Sequence, residues 1–165
     1  MGTFSRMEIR EQIIDWIKFI EKPKNELSGI PVCPFALKTR MNDRYTILFA
    51  KNEEEIYQII PLFDGSVKDV MIIYLEYRIS VDQCSKLREK LNLMYNVKDL
   101  VILESHMDDP FIINGVETTF PYGVLLLVQK LSDLNDASGN LSKSNYYSFW
   151  RKEQIQEVVE WRTKK

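Results

Sequence analysis

The chain contains one histidine, His106, at the point where a predicted strand passes into an acidic loop. The apolar run Leu100–Leu103 predicts the strand, and Glu104, Asp108 and Asp109 stand close to the histidine. An imidazole exchanges protons near neutral pH and neighbouring carboxylates can orient it, so this pattern is typical of a general acid–base site. The alternative is a solvated or hydrogen-bonded loop histidine without a chemical role.

The thiol of Cys33 is the second group that could do chemistry. It precedes Pro34 in the segment V-C-P-F-A, and basic residues follow. A proline at the first position of a helix would place Cys33 at the N-cap, where the helix dipole lowers a thiol pKa. Together with His106 it would form a Cys–His nucleophilic site facing one cleft. The alternative is a small buried hydrophobic residue, which is also expected of Cys84.

A further strand, predicted at Val70–Leu75, also ends in ionisable side chains, Glu76 and Arg78. Ligands bind at the carboxyl ends of strands in open α/β sheets. If this strand neighbours the one before His106, all of these groups line one rim. We therefore expect a ligand to be bound there by Glu76, Arg78, Glu104, Asp108, Asp109, Pro121 and Tyr122.

Some of the same residues could instead form a metal site. His106, Asp108 and Glu104 or Glu76 could bind an oxygen-preferring divalent ion. The chain has no H-x-x-x-H or C-x-x-C spacing, so metal and cofactor stay unknown at this level. Ala36 stands where a C-P-F-C redox turn has its second cysteine, which argues against dithiol chemistry.

Alternating helices and strands must position these groups. Apolar periodicity and capping signals predict helices near residues 9–22, 52–63, 80–94 and 145–162, and strands near 45–50, 70–75, 100–103 and 124–128. Residues 24–43 and 104–121 are expected to be irregular, and 132–144 to be an exposed loop. The order α-β-α-β-α-β-β-α predicts an α/β fold. Its four-stranded sheet is mixed but mostly parallel, the fourth strand is antiparallel at one edge, and helices cover one face or both.

Composition limits the class of protein. The chain has 165 residues and a net charge of −2, which predicts one globular domain over residues 1–165 with no basic field for nucleic acid. No signal peptide or membrane-spanning run is recognisable, and two cysteines fit a reducing compartment. We expect a cytoplasmic protein that binds neither nucleic acid nor membrane, and its oligomeric state stays open.

Two functions remain compatible with these features, so whether the protein is an enzyme stays open. One is a small enzyme whose cleft lies between the Cys33 loop and the strand rim around His106. The other is a non-catalytic binding or assembly module that uses an aromatic C-terminal helix. Its partner would be a small molecule or a protein. The aromatic residues of that helix are Tyr146, Tyr147, Phe149, Trp150 and Trp161.

Four separated segments of the sequence resemble segments of a known protein family. They are Trp16 in the first helix, V-C-P-F-A at 32–36, S-H-x-D at 105–108 and F-P-Y at 120–122. Over about residues 15–134 the chain resembles a family of small bacterial proteins catalogued as domain of unknown function number fourteen-fifteen. Met107 stands where that family has proline, and residues 114–119, which lead into the proline segment, also differ from the family. The resemblance implies no reaction; it singles out Cys33, Pro34, Phe35, His106 and Pro121.

Overall fold

Four strands form the central sheet of the computed structural model, which describes residues 4–163. The strands are β1 (Pro23–Lys24), β2 (Ile30–Pro31), β3 (Tyr45–Ala50), β4 (Val70–Leu75), β5 (Leu100–His106), β6 (Ile112–Ile113), β7 (Val116–Glu117) and β8 (Val124–Lys130). The α-helices are α1 (Arg6–Glu21), α2 (Ala36–Met41), α3 (Glu53–Ile59), α4 (Val81–Tyr95), α5 (Leu131–Ser142), α6 (Lys152–Ile155) and α7 (Trp161–Thr163). A π-helix at Gln156–Glu160 joins α6 to α7, and 3₁₀ turns lie at Asn25–Leu27, Ile60–Leu62, Asn96–Lys98 and Tyr146–Phe149.

The sheet is mixed, and its strand order is β3-β4-β8-β5. Only β3 and β4 pair in parallel, since β8 is antiparallel to both of its neighbours. The expectation of a mostly parallel sheet with the fourth strand at an edge is therefore wrong. The physical reason is the apolar run of β8, Val124–Val128, which is buried on both faces and belongs in the middle of a sheet. This insertion leaves β5 as an edge strand.

Helices cover both faces of the sheet. Residues of β4 and β8 alternate between the two faces, as the two-residue period of a strand requires. One face packs against α3, the 3₁₀ turn that follows it, and α4 through Ile56, Ile60, Cys84, Leu87 and Leu91. The other face packs against α1 and α2 through Ile9, Ile13, Ile17 and Ala36. Capping boxes begin α1 at Ser5 and α4 at Ser80.

Residues 131–142 form helix α5, where an exposed loop was expected. The helix begins without a local cap. Instead, the carboxylate of Asp99 accepts hydrogen bonds from the Ser132 backbone N–H at 2.8 Å and from its hydroxyl. Its apolar residues Leu131, Leu134 and Leu141 follow helical spacing. A long-range cap thus overrides the turn-forming composition of this segment.

The C-terminal segment is not one continuous helix. It consists of a 3₁₀ turn, α6, the π-helix and α7. The rings of Tyr146, Tyr147 and Trp150 pack on one another with centroids 4.8–5.7 Å apart, and Trp150 also packs on Phe111 at 5.4 Å. None of these side chains is fully exposed. These aromatic side chains are therefore partly buried against one another and against Phe111.

Candidate functional site

A cavity of about 190 Å³ opens beside the edge strand β5. Its floor includes Leu103 and Leu127, which are directly paired across β5 and β8. Three aromatic side chains, Trp16, Phe111 and Trp161, line it. Because Trp16 belongs to α1 and Trp161 to α7, the cavity forms only when distant parts of the chain pack together.

Hydrogen bonds join the loop after β5 to α1, to β5 and to itself. The indole N–H of Trp16 donates to the carbonyl of Thr118 at 2.9 Å, and its ring packs edge-on against Phe120. The Thr119 hydroxyl accepts the backbone N–H of Phe111 at 2.7 Å. The hydroxyl of Ser105 accepts the backbone N–H of Phe120 at 3.0 Å. These bonds fix the aromatic wall before any ligand binds.

The C-terminal segment covers the cavity. Glu157 and Val158 of the π-helix and Trp161 of α7 line it. The buried side chain of Gln154 anchors the cover by donating to the Ile112 carbonyl at 2.6 Å. π-Helical turns are rare and often mark functional sites. In this protein the π-helix contributes two residues to the cavity wall.

Charge in the cavity is dominated by carboxylates. Glu104, Asp109 and Glu157 line it together with a single cation, Arg88. Glu104 Oε1 lies 3.3 Å from the Ser85 hydroxyl and 3.6 Å from Arg88 Nη1. Asp109 and Glu157 are exposed, and within residues 4–163 their carboxylates have no hydrogen-bond or ion-pair partner. Two carboxylates are thus available to a bound cation.

His106 borders this cavity, but its ring nitrogens are both engaged. Its side chain is 4% exposed. Nε2 lies 2.8 Å from the Ile79 carbonyl, and Nδ1 accepts the Asp108 backbone N–H at 3.1 Å. These bonds assign a neutral imidazole with the proton on Nε2. The geometry therefore supports a hydrogen-bonded histidine that ties β5 to the segment before α4.

Cys33 does not line the cavity. The N-cap of α2 is Phe35, so Cys33 precedes the helix and Pro34 is not its first residue. Cys33 packs into the cluster beneath α1, and its backbone N–H donates to Ile20. Burial raises the pKa of the thiol, opposite to the lowering that the sequence predicted.

The structure does not bring Cys33 and His106 together. His106 follows the alternation of Ile102 and Glu104 toward the α4 side and bonds to Ile79. Cys33 packs on the α1 side. The sheet separates them, so the shared nucleophilic cleft expected from the sequence has no geometric support.

The other predicted residues divide among several places. Glu76 forms an ion pair with Arg6 at 2.6 Å, and β8 separates its strand from β5. Arg78 borders a different, open groove. Three more of the predicted residues are exposed: Asp108, Pro121 and Tyr122. The backbone N–H of Asp108 donates to His106. Of the predicted set, only Glu104, His106 and Asp109 meet in the cavity.

Sequence reasoning missed Arg88, Glu157 and Trp161. A charged residue on a helix normally faces solvent, so Arg88 and Glu157 carried no signal. Trp161 was expected on the aromatic helix of the alternative binding module and not in a cavity beside β5. Among residues 4–163, no three His, Cys, Asp or Glu side chains are placed to hold a metal ion. Over the same residues, no helix has the length and apolarity that crossing a bilayer requires.

Comparison with protein-family models, curated proteins and solved structures finds no match for this chain. The resemblance to the family of unknown function therefore stays a prediction. The candidate site is defined by its geometry alone.

Proposed function

We propose that the protein binds a small organic cation, an amine that carries one compact apolar group, in the cavity beside β5. The observation that carries this proposal is the lining itself, in which three aromatic side chains accompany three carboxylates and one guanidinium. Aromatic faces attract cations, and a carboxylate without a protein partner gives an ammonium group its counter-ion.

The volume of the cavity limits the ligand. An engineered apolar cavity of about 150 Å³ holds benzene, and the present cavity is slightly larger, about 190 Å³. One aromatic ring or a branched alkyl group therefore fits among Leu103, Leu127 and Val158. The charged end of the ligand then lies near Asp109 and Glu157 at the cavity wall.

The proposal assigns binding and not catalysis. The two side chains that the sequence offered for chemistry are engaged elsewhere, His106 in two hydrogen bonds and Cys33 in the packing under α1. Both cysteines are unpaired, which supports a reducing cytoplasm as the place where the ligand is met.

Calorimetric titration with a pair of matched ligands tests the proposal. The probe is 2-phenylethylamine, which is protonated at pH 7, and the control is the neutral 2-phenylethanol. We expect the amine to bind at least about tenfold more tightly, corresponding to about 1.4 kcal/mol. Equal affinity for the two ligands, or no binding of either, would contradict the proposal.

Single substitutions identify the carboxylates that bind the ammonium group. Asp109→Gln and Glu157→Gln each remove one carboxylate while keeping a polar side chain, and each should weaken amine binding without changing binding of the alcohol. Glu153→Gln is the matched control, since Glu153 is exposed on α6 and does not line the cavity. If the control weakens binding as much as the cavity variants do, the effect is only a change of net charge.

A further inference from the structure

The guanidinium of Arg88 is partly buried, and no acceptor among residues 4–163 lies within hydrogen-bond distance of it. Its side chain is 20% exposed. Its nearest carboxylate oxygens are Glu104 Oε1 at 3.6 Å and Glu89 Oε1 at 4.0 Å, both beyond hydrogen-bond distance. Within residues 4–163 no acceptor is hydrogen-bonded to this side chain, although a guanidinium carries five N–H donors. A cavity-lining arginine in this state is well suited to a carboxylate on a ligand.

Arg88 and Asp109 line the cavity beside the same stretch of β5. Arg88 Nη1 lies 3.6 Å from Glu104 Oε1. The backbone N–H of Asp109 donates at 2.9 Å to the carbonyl of His106, two positions beyond Glu104. A cationic and an anionic group thus flank one region, next to an aromatic and aliphatic hollow.

We infer that the ligand is a free α-amino acid with a compact apolar side chain. This inference rests on the proposed function and names its ligand class. The ammonium group pairs with Asp109, the carboxylate forms a two-pronged pair with Arg88, and the side chain enters the space between Trp16, Phe111 and Trp161. An α-amino acid carries its two charges on one carbon, which matches a cation and an anion that line one cavity beside the same stretch of β5.

Affinity for L-phenylalanine and for 2-phenylethylamine, which lacks the carboxylate, tests the inference by calorimetry. The native protein should bind L-phenylalanine at least about tenfold more tightly than the amine. L-phenylalaninamide, whose carbonyl group is uncharged, should bind with an affinity close to that of the amine. If the amine binds and L-phenylalanine binds no better, the inference is overturned while the proposed function stands. If none of the three binds, both fail.

The variant Arg88→Gln should remove the preference. Its affinity for L-phenylalanine should fall at least about tenfold, and its affinity for 2-phenylethylamine should be equal or higher. Lys86→Gln, an exposed lysine of α4 outside the cavity, is the matched control and should leave both affinities unchanged. A parallel loss for both ligands in Arg88→Gln would show general damage to the cavity and overturn the assigned role. The ligand series in the native protein does not depend on how well this variant folds.

Discussion

At the scale of single residues, Asn92 stabilises the exposed edge of the sheet. This buried side chain of α4 accepts the backbone N–H of Ile102 at 2.9 Å and donates to the Ile102 carbonyl at 2.9 Å. An edge strand otherwise presents unpaired backbone groups. Asn92 therefore replaces a neighbouring strand at one position, just before β5 reaches the cavity.

Asn92→Leu should lower the free energy of unfolding by about 2–6 kcal/mol. The substitution leaves one buried donor and one buried acceptor of Ile102 unpaired, at about 1–3 kcal/mol each. Chemical denaturation measures the change. Leu93→Ala is the matched control, because Leu93 is 82% exposed on the same helix, and it should change stability by less than about 0.5 kcal/mol. A loss below about 1 kcal/mol for Asn92→Leu would contradict the role of Asn92.

Neither cysteine should react quickly at neutral pH. Burial raises the pKa of Cys33 and of Cys84, so little of either thiol is present as the reactive thiolate. Iodoacetamide labelling at pH 7, followed by mass spectrometry, should be slow for both and should accelerate in denaturant. Rapid labelling of Cys33 alone in the native protein would contradict this prediction and support Cys33 as a nucleophile.

The sequence predicted some of the cavity residues but not the state of the Cys33 thiol. Glu104, His106 and Asp109 follow the apolar run at the start of β5, and this position was enough to predict that they lie close together. The state of Cys33 was not readable, because Pro34 would have to begin the helix and α2 begins at Ala36 instead.

At the scale of elements, a tight hairpin shapes the loop beside the cavity. Strands β6 and β7 are joined by Asn114 and Gly115, whose φ angles are +46° and +84°. Asn-Gly with both φ angles positive is typical of a two-residue hairpin turn. This dipeptide was a local signal, and it could have predicted the hairpin within a segment that was expected to be irregular.

Alanine at two glycines should have opposite effects. Gly115→Ala should destabilise the protein by about 1–2 kcal/mol, because a Cβ is unfavourable at positive φ even with open space around it. Gly139→Ala, within α5 and also in open space, should stabilise it by up to about 1 kcal/mol. Thermal and chemical unfolding measure both. Equal signs would contradict the assigned backbone conformations.

An ion pair joins α1 to α2 and gives a pH-dependent contribution to stability. Arg40 contacts both carboxylate oxygens of Glu21 at 2.6–3.0 Å, and this lowers the pKa of Glu21. Because the folded pKa lies below the unfolded value of about 4.5, the stabilisation is complete above that pH. It is lost as the pH falls through the folded pKa.

Glu21→Gln should therefore cost about 1.5–3 kcal/mol at pH 7 and progressively less as the pH falls below about 4.5. Urea unfolding at several pH values measures the difference from the native protein. Glu11→Gln, an exposed position on α1, serves as control and should show a difference of less than about 0.5 kcal/mol at every pH. A Glu21→Gln difference that stays constant with pH would show that the pair adds no such contribution.

Local signals account for the predicted elements, and long-range contacts account for the misses. The strand at Tyr45–Ala50 and the caps at Asn52 and Ser80 agree with the structure because each depends on neighbouring residues. Helix α5 was missed because its cap, Asp99, lies 33 positions from Ser132.

At the scale of the whole molecule, strand order decides where the site can form. Insertion of β8 between β4 and β5 moves Glu76 away from His106 and leaves β5 with an open flank. The loop after β5, helix α1 and the C-terminal segment close around that flank. Since no local pattern specifies this order, the sequence predicted a mixed α/β sheet and three cavity residues, but not the cavity.

The tryptophan indole N–H signals in a ¹H–¹⁵N NMR titration test the central claim most directly. The chain has three tryptophans, of which Trp16 and Trp161 line the cavity, while Trp150 packs among other aromatic rings. Adding 2-phenylethylamine should shift the signals of Trp16 and Trp161 to saturation, with a much smaller shift for Trp150, and 2-phenylethanol should act only at far higher concentration. Unchanged signals, or equal responses of all three tryptophans to both ligands, would contradict a cation-binding cavity beside β5.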